Sequence, residues 1–246
     1  MIPDIQWIMK NRILRLRRRY DWLRGSVEKD GFRWETRGIH DPNLAYNGHE
    51  DYLNNELLTG GELFVDVGAH AGRWTVRASR LFKKVVAFEP TIRTAKVLEK
   101  NLQLNNITNV TIENVALGDS EEWGTMYYFP RSRSDGCNSL FKHHPLIKRE
   151  NESRFNQASR FVNKTDIRRL DSYNLSPTVL KIDTEGYELH ILKGAVETLK
   201  RTQKIVVEIH PPEHLQPAIS ILRQEGFTTR VQMEVTPHLI GDRLNC

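Results

Sequence analysis

The residues able to do chemistry fall into a few short segments. Asp66 stands inside VDVGAHAG, Val65 to Gly72. Gly68 and Gly72 let the backbone turn sharply and approach a ligand without a Cβ in the way, and a helix opening just behind them presents free N–H groups. A carboxylate ending an apolar run is costly to bury without a partner, so Asp66 calls for a cationic or hydrogen-donating ligand. Glu89, in AFEP, follows 23 residues later. In nucleotide-binding α/β folds, an acid about 20 residues past the glycine turn accepts hydrogen bonds from ribose hydroxyls. Asp183 and Glu185 alternate through KIDTEGYE, and Glu208 and His210 through VEIHPP. Alternation on extended backbone puts each pair on one face. His210 is thus a candidate general acid or base, with Asp183 and Glu185 beside it in that role. Asp183, Glu185 and His210 also have side-chain types that suit a metal. Nothing in the sequence itself brings the three together, so no metal ligand is assigned.

These residues need strands to carry them. Short runs rich in Val and Ile occupy 62–67, 84–88, 109–115, 178–183 and 204–210. Helical periodicity follows at 72–82, 91–105, 186–200 and 213–225. Strands separated by helices predict a mainly parallel sheet in an α/β domain. Residues 123–129 read as an extra strand, 227–235 as a late one, and NVALGD closes the third run. The glycine segment is not the GxGxxG fingerprint of dinucleotide binders.

Apolar residues from Ile2 to Leu23 recur at helical spacing, with seven Lys/Arg between and just after them, which predicts a basic amphipathic helix over 1–25. A helical lead-in is expected over 26–60, and the main domain over 61–246 with a basic insertion at about 131–169. The net charge of +5 is uneven: 1–25 carries +5, 131–169 carries +6, and the remainder −6. Such patches suit an anionic surface or substrate, or are simply solvated faces. The apolar stripe of 1–25 would pack on the domain or a second copy, or lie in an anionic membrane surface. Two distant cysteines without a CxxC exclude a disulfide scaffold and fit a reducing, cytoplasmic compartment. No continuous apolar block resembles a signal peptide or a membrane span.

VDVGAHAG, AFEPTIRTAKVLEKNLQLNN, NVALGD, RLDS, LKIDTEGYELHILKGA and VVEIHPPE, taken in order, resemble the FkbM-type methyltransferases over about 60–230. The resemblance implies dependence on S-adenosylmethionine. It also implies the class I methyltransferase fold, a Rossmann-like, seven-stranded, mainly parallel sheet with one reversed late strand. By it, Asp66, Gly68, Ala69, His70 and Gly72 would wrap the methionine part of the cofactor, and Glu89 with Pro90 would hold the ribose. Ala116 would border adenine, and Asp183 would sit near the reactive methyl. His70 stands where the family usually has Asn. The implied reaction is O-methylation of a sugar, glycan or other hydroxylated metabolite, anionic or neutral. No DPPY or NPPY sequence occurs, which argues against methylation of base amino groups. The basic patches keep an RNA methyltransferase as a rival, and a silent cofactor-binding protein is the rival from outside the enzymes.

Overall fold

The structure, a computed structural model, describes residues 25–36, 51–127, 140, 162–233 and 236–243. The expected helix 1–25, apart from its last residue, and most of the basic insertion lie outside the described residues.

The centre is a seven-stranded sheet built from β3 (Gly61–Val67), β4 (Phe82–Phe88), β5 (Val110–Glu113), β9 (Val179–Ile182), β10 (Lys204–Glu208), β11 (Phe227–Gln232) and β12 (His238–Arg243). Its order is β11-β12-β10-β9-β3-β4-β5. All pairings are parallel except those of β12, which runs antiparallel to both β10 and β11. The expected reversed strand is therefore β12, which the sequence reading did not identify as a strand. The class I methyltransferase fold is otherwise as anticipated.

The chain runs outward from β3 to β4 and β5, then returns to the other side of β3 with β9 and β10. Between β3 and β9 the direction of winding reverses. That is where α/β sheets open a ligand crevice beyond their strand ends.

Helices cover the faces: α2 (Arg73–Ala78), α3 (Ile92–Leu104), α4 (Glu188–Lys193), α5 (Val196–Arg201) and α6 (Leu215–Gln224). A shorter α1 spans Asn54–Leu57. The expected helix over 186–200 is two helices, broken at Gly194, where a side chain would overlap the carbonyl of Gly118. The central strands are buried on both faces: Phe64, Phe88, Leu180, Ile182 and Ile205 are almost wholly inaccessible. Each such side chain contributes about 1.5–3 kcal/mol through burial.

Two sequence expectations need correction. Residues 26–35 form a hairpin, β1 (Ser26–Lys29) against β2 (Phe32–Glu35), where a helical lead-in is expected. Asp30-Gly31 makes its two-residue turn with positive φ at both positions (54° and 73°), the geometry that Asp-Gly favours. Phe32 and Trp34 alternate inward to pack with Ala69, Val76 and Leu98. The free edge of β2 is satisfied by side chains of α3: Asn105 Oδ1 accepts from the Arg33 amide at 2.8 Å, and Asn101 Oδ1 from the Glu35 amide at 2.7 Å.

The second correction is at 131–169. Its last part, β8 (Val162–Arg168), belongs to a separate three-stranded sheet with β7 (Glu122–Tyr127) and β6 (Ala116–Leu117). Ile167 and Thr165 face inward there, and the flanking Lys164, Arg168 and Arg169 mask the alternation.

Candidate functional site

The parallel register decides which side chains meet. Val67 lies level with both Phe88 and Ile182, and Ile182 with Val207. The next residues, Gly68, Glu89, Asp183 and Glu208, therefore leave the sheet in one row along the carboxyl rim. Gly68 has φ +78°, and a Cβ there would overlap the carbonyl of Asp183, so the two strand ends pass backbone against backbone. Only glycine permits this approach.

One residue back, Asp66 is level with Lys181. Side chains level on neighbouring strands share a face, and Asp183, two residues on from Lys181, shares it too. Lys181 Nζ accordingly lies 3.3 Å from Asp66 Oδ1 and 3.2 Å from Asp183 Oδ2. This buried lysine escaped the sequence reading. A cation inside the apolar run VLKI was its signal, because only nearby carboxylates make such burial tolerable. Thr75, on α2, donates its hydroxyl to Asp66 Oδ2 at 2.6 Å. Asp66 Oδ1 remains buried without a directed hydrogen bond.

The glycine turn is tied to the end of β4. The amides of Gly68 and Ala69 both donate to the Phe88 carbonyl at 3.0 Å. His70, with φ +50°, donates its amide to Glu89 Oε2 at 3.0 Å, while Thr91 donates its amide to Oε1 at 2.8 Å. Burial pushes the Glu89 pKa up, against the opposing pull of the His70 charge and the Thr91 bonds. His70 Nε2 is buried without a hydrogen-bond partner. Gly72 precedes α2 with φ +92°. Pro90 sits between Glu89 and α3. Ala116 is buried in β6, paired with Ile167. Its segment reaches the same rim through Asn114, whose side-chain amide donates to the Glu89 carbonyl at 2.7 Å.

At the other end of the row, carboxylates surround one imidazole. His210 Nδ1 lies 2.8 Å from Oε1 of Glu188, a fully buried residue in the first turn of α4. Burial alone would raise the Glu188 pKa. The hydrogen bond from His210 and the His214 ring, 3.7 Å from Oε2, overcome that and bring it down to about 2. Ionised Glu188 can only accept, so His210 Nδ1 carries the proton and Nε2 is aimed at the crevice. Nε2 there lies 3.3 Å from Glu185 Oε2, 3.8 Å from Glu208 Oε1 and 3.9 Å from Asp183 Oδ1. Burial alone would depress the His210 pKa. The Glu188 bond and the charges of Glu185, Glu188 and Asp183 lift it instead to about 10. Asp183 is held below the usual aspartate value: its own burial is outweighed by Lys181 and His210.

Asp183, Glu185 and His210 are thus brought together, though not by strand phase: β9 ends at Ile182, β10 ends at Glu208, and Glu185 sits in a left-handed turn with φ +56°. With no cation beside it, the surrounding carboxylates hold the His210 proton well above the usual imidazole range, which weakens it as a free general base. Glu188 was the residue hidden from sequence reasoning: it looks like an acid at a helix start, and its role depends on a histidine 22 residues away. Among the described residues no helix is long and apolar enough to cross a membrane.

Comparison with known proteins agrees with this geometry. A model of the FkbM methyltransferase domain matches residues 66–229. Methyltransferase 1 of Beauveria bassiana is 24% identical over 188 residues, covering 68% of this chain and 73% of that protein. Methyltransferase sdnD of Sordaria araneosa is 29% identical over 207 residues, covering 73% and 79%. Among solved structures, the precorrin-6y C5,15-methyltransferase of Geobacter metallireducens superposes with a TM-score of 0.50 at 15% identity, covering 88% of this chain and 95% of that one. With its sheet, its glycine turn and its rim of acids in place, the chain belongs to the FkbM methyltransferase family and is an S-adenosylmethionine-dependent enzyme.

Proposed function

We propose that this methyltransferase acts on a hydroxyl oxygen of a sugar, glycan or other hydroxylated metabolite. The observation that carries the reading is the convergence of Asp183, Glu185 and Glu208 on His210 at the rim, beside the Gly68 turn. A hydroxyl is a weak nucleophile that gains from a proton acceptor, whereas a neutral amine needs none. The same carboxylates repel phosphates, which disfavours RNA and strongly anionic acceptors.

The cofactor half suits its ligand. Glu89 has lone pairs left for the two ribose hydroxyls after its two backbone bonds. Asp66 Oδ1 and His70 Nε2, both buried and lacking hydrogen bonds, suit the methionine ammonium and carboxylate groups. Gly68, Ala69, Gly72 and Pro90 would shape this wall, and the backbone around Ala116 would border adenine. S-adenosylmethionine supplies a methyl already activated on a sulfonium.

The chain's work is therefore alignment and proton handling. Holding the acceptor oxygen about 3–3.5 Å from the methyl carbon supplies roughly 7–11 kcal/mol. With the cofactor bound, Asp183 or Glu185 would take the proton that the acceptor hydroxyl gives up when it receives the methyl, and the demethylated cofactor would leave as a neutral thioether. His210 holds these carboxylates in place. Lys181 fixes Asp183 against the Asp66 strand. A screen with methyl-labelled cofactor over polyols, glycans and RNA tests the reading. Base-stable ether label in a hydroxylated pool is the expected result, and label confined to RNA or to amines would refute it.

A further inference from the structure

We propose that Asp183, Glu185 and His210 form a divalent-cation site of the Mg2+ or Mn2+ class at the acceptor side of the crevice. The inference deepens the hydroxyl-transfer reading and rests on it for the cation's chemical role. The three residues each offer one ligand atom, and these atoms all lie within 4.8 Å of one another. They come from three places: the end of β9, the loop after it, and the residues past β10. A cation with ligand bonds near 2.1 Å keeps neighbouring donors about 3 Å apart. The Nε2–Glu185 edge of 3.3 Å is already at that spacing, and the Nε2–Asp183 edge of 3.9 Å needs only a small closure.

The surroundings are those of a supported site. His210 donates its Nδ1 proton to Glu188 at 2.8 Å, the outer-shell bond that fixes the tautomer of a metal-binding histidine and points Nε2 at the metal; the cation takes the place of the Nε2 proton, which is released to solvent on binding. Asp183 gives Oδ2 to Lys181 and turns Oδ1 toward His210. Glu208 adds a further carboxylate 3.8 Å from Nε2 and is itself faced by His238 at 3.6 Å. The three side chains are 11% to 24% accessible, so the crevice offers an entry path and open positions for an acceptor. Two carboxylates and one imidazole, with no thiolate, select harder cations. A cation here would polarise the acceptor hydroxyl and raise its acidity.

The test uses the full chain, stripped with chelator, and Mn2+ alone as probe. Paramagnetic resonance should show one bound Mn2+ per chain with nitrogen hyperfine coupling from one imidazole. Glu185→Gln should weaken Mn2+ binding at least about 10-fold and Glu188→Gln about 10–100-fold, with S-adenosylmethionine affinity unchanged in both. Absence of stoichiometric binding at millimolar Mn2+, or bound Mn2+ without nitrogen coupling, overturns the site; both readouts use the unmutated protein, so a variant that fails to fold does not rescue it. Undiminished hydroxyl methylation in excess chelator overturns the cation's role and leaves the hydroxyl reading standing. Mn2+ coordinated by imidazole in an enzyme that labels only nitrogen does the reverse.

Discussion

The two halves of the carboxyl rim handle their acids differently. On the β3–β4 side, Glu89 is buried and bonded by two backbone amides, and Asp66 is held by Thr75 and Lys181. Its charges are nearly settled within the fold, leaving a shaped receptor with few unmet groups. On the β9–β10 side, four carboxylates crowd a single imidazole, with Glu188 on one ring nitrogen and the others facing the second. That half holds a surplus of negative charge that the fold does not neutralise. A site that only binds can be satisfied in advance. On the proposed reading, a site that must take a proton keeps groups in reserve, and stability is given up to do so.

The contrast breaks most sharply under substitutions that separate binding from turnover. Asp183→Asn should lower kcat by about 10²–10⁴-fold, the range for a lost proton acceptor, while S-adenosylmethionine affinity by calorimetry changes little. Equal losses in both would merge the halves into one site. Glu89→Ala should do the opposite. It should weaken S-adenosylmethionine and its demethylated product alike by roughly 1.5–3 kcal/mol, as expected for a lost charge-assisted bond, with kcat at saturation largely kept. Wild-type affinity in a folded Glu89→Ala protein removes Glu89 from the site.

The third effect is on stability against pH, in chelator-treated protein without cofactor. His210 is raised from 6.5 to about 10, so its contribution is complete below about pH 6.5 and is lost as pH rises through 10. Glu188 is lowered from 4.5 to about 2, so its contribution is complete above about pH 4.5 and is lost as pH falls through 2. The Tm difference between wild type and Glu188→Gln should therefore be widest between about pH 4.5 and 6.5 and narrow on both sides. A pH-independent difference would mean that the pair is not charged as described.

The smallest effect lies away from both halves. Asn105→Ala removes the two bonds to Arg33 on the β2 edge, leaves the one from Asn101, and should cost about 1 kcal/mol of stability by denaturant titration. Cofactor affinity should stay within error, unless the hairpin, through Phe32 and Trp34 against Ala69, steers the glycine turn more than its packing implies.

Much of this architecture was legible because it is local. Period-two and period-3.6 patterns place β3, β4, β9 and β10 and the helices between them. The glycine turn, Glu89 and Asp183 fall at strand ends by phase alone. The hairpin was legible too, in the Asp30-Gly31 turn and the alternation of Phe32 and Trp34, but the mixed composition of 26–60 obscured it. β8 was harder to see, since its alternation is masked by the exposed Lys164 and Arg168 and by Arg169 just after it. By itself, then, the sequence determined the order of strands and helices, the place of the glycine turn and which acids could end each strand, because those follow from neighbours a few residues apart. Only the tertiary structure decided that Lys181 stands between Asp66 and Asp183, and that Glu188 claims one nitrogen of His210 and turns the other toward Glu185. Those meetings depend on the register between strands brought side by side from distant parts of the chain, and on burial deep enough to make each unpaired charge costly.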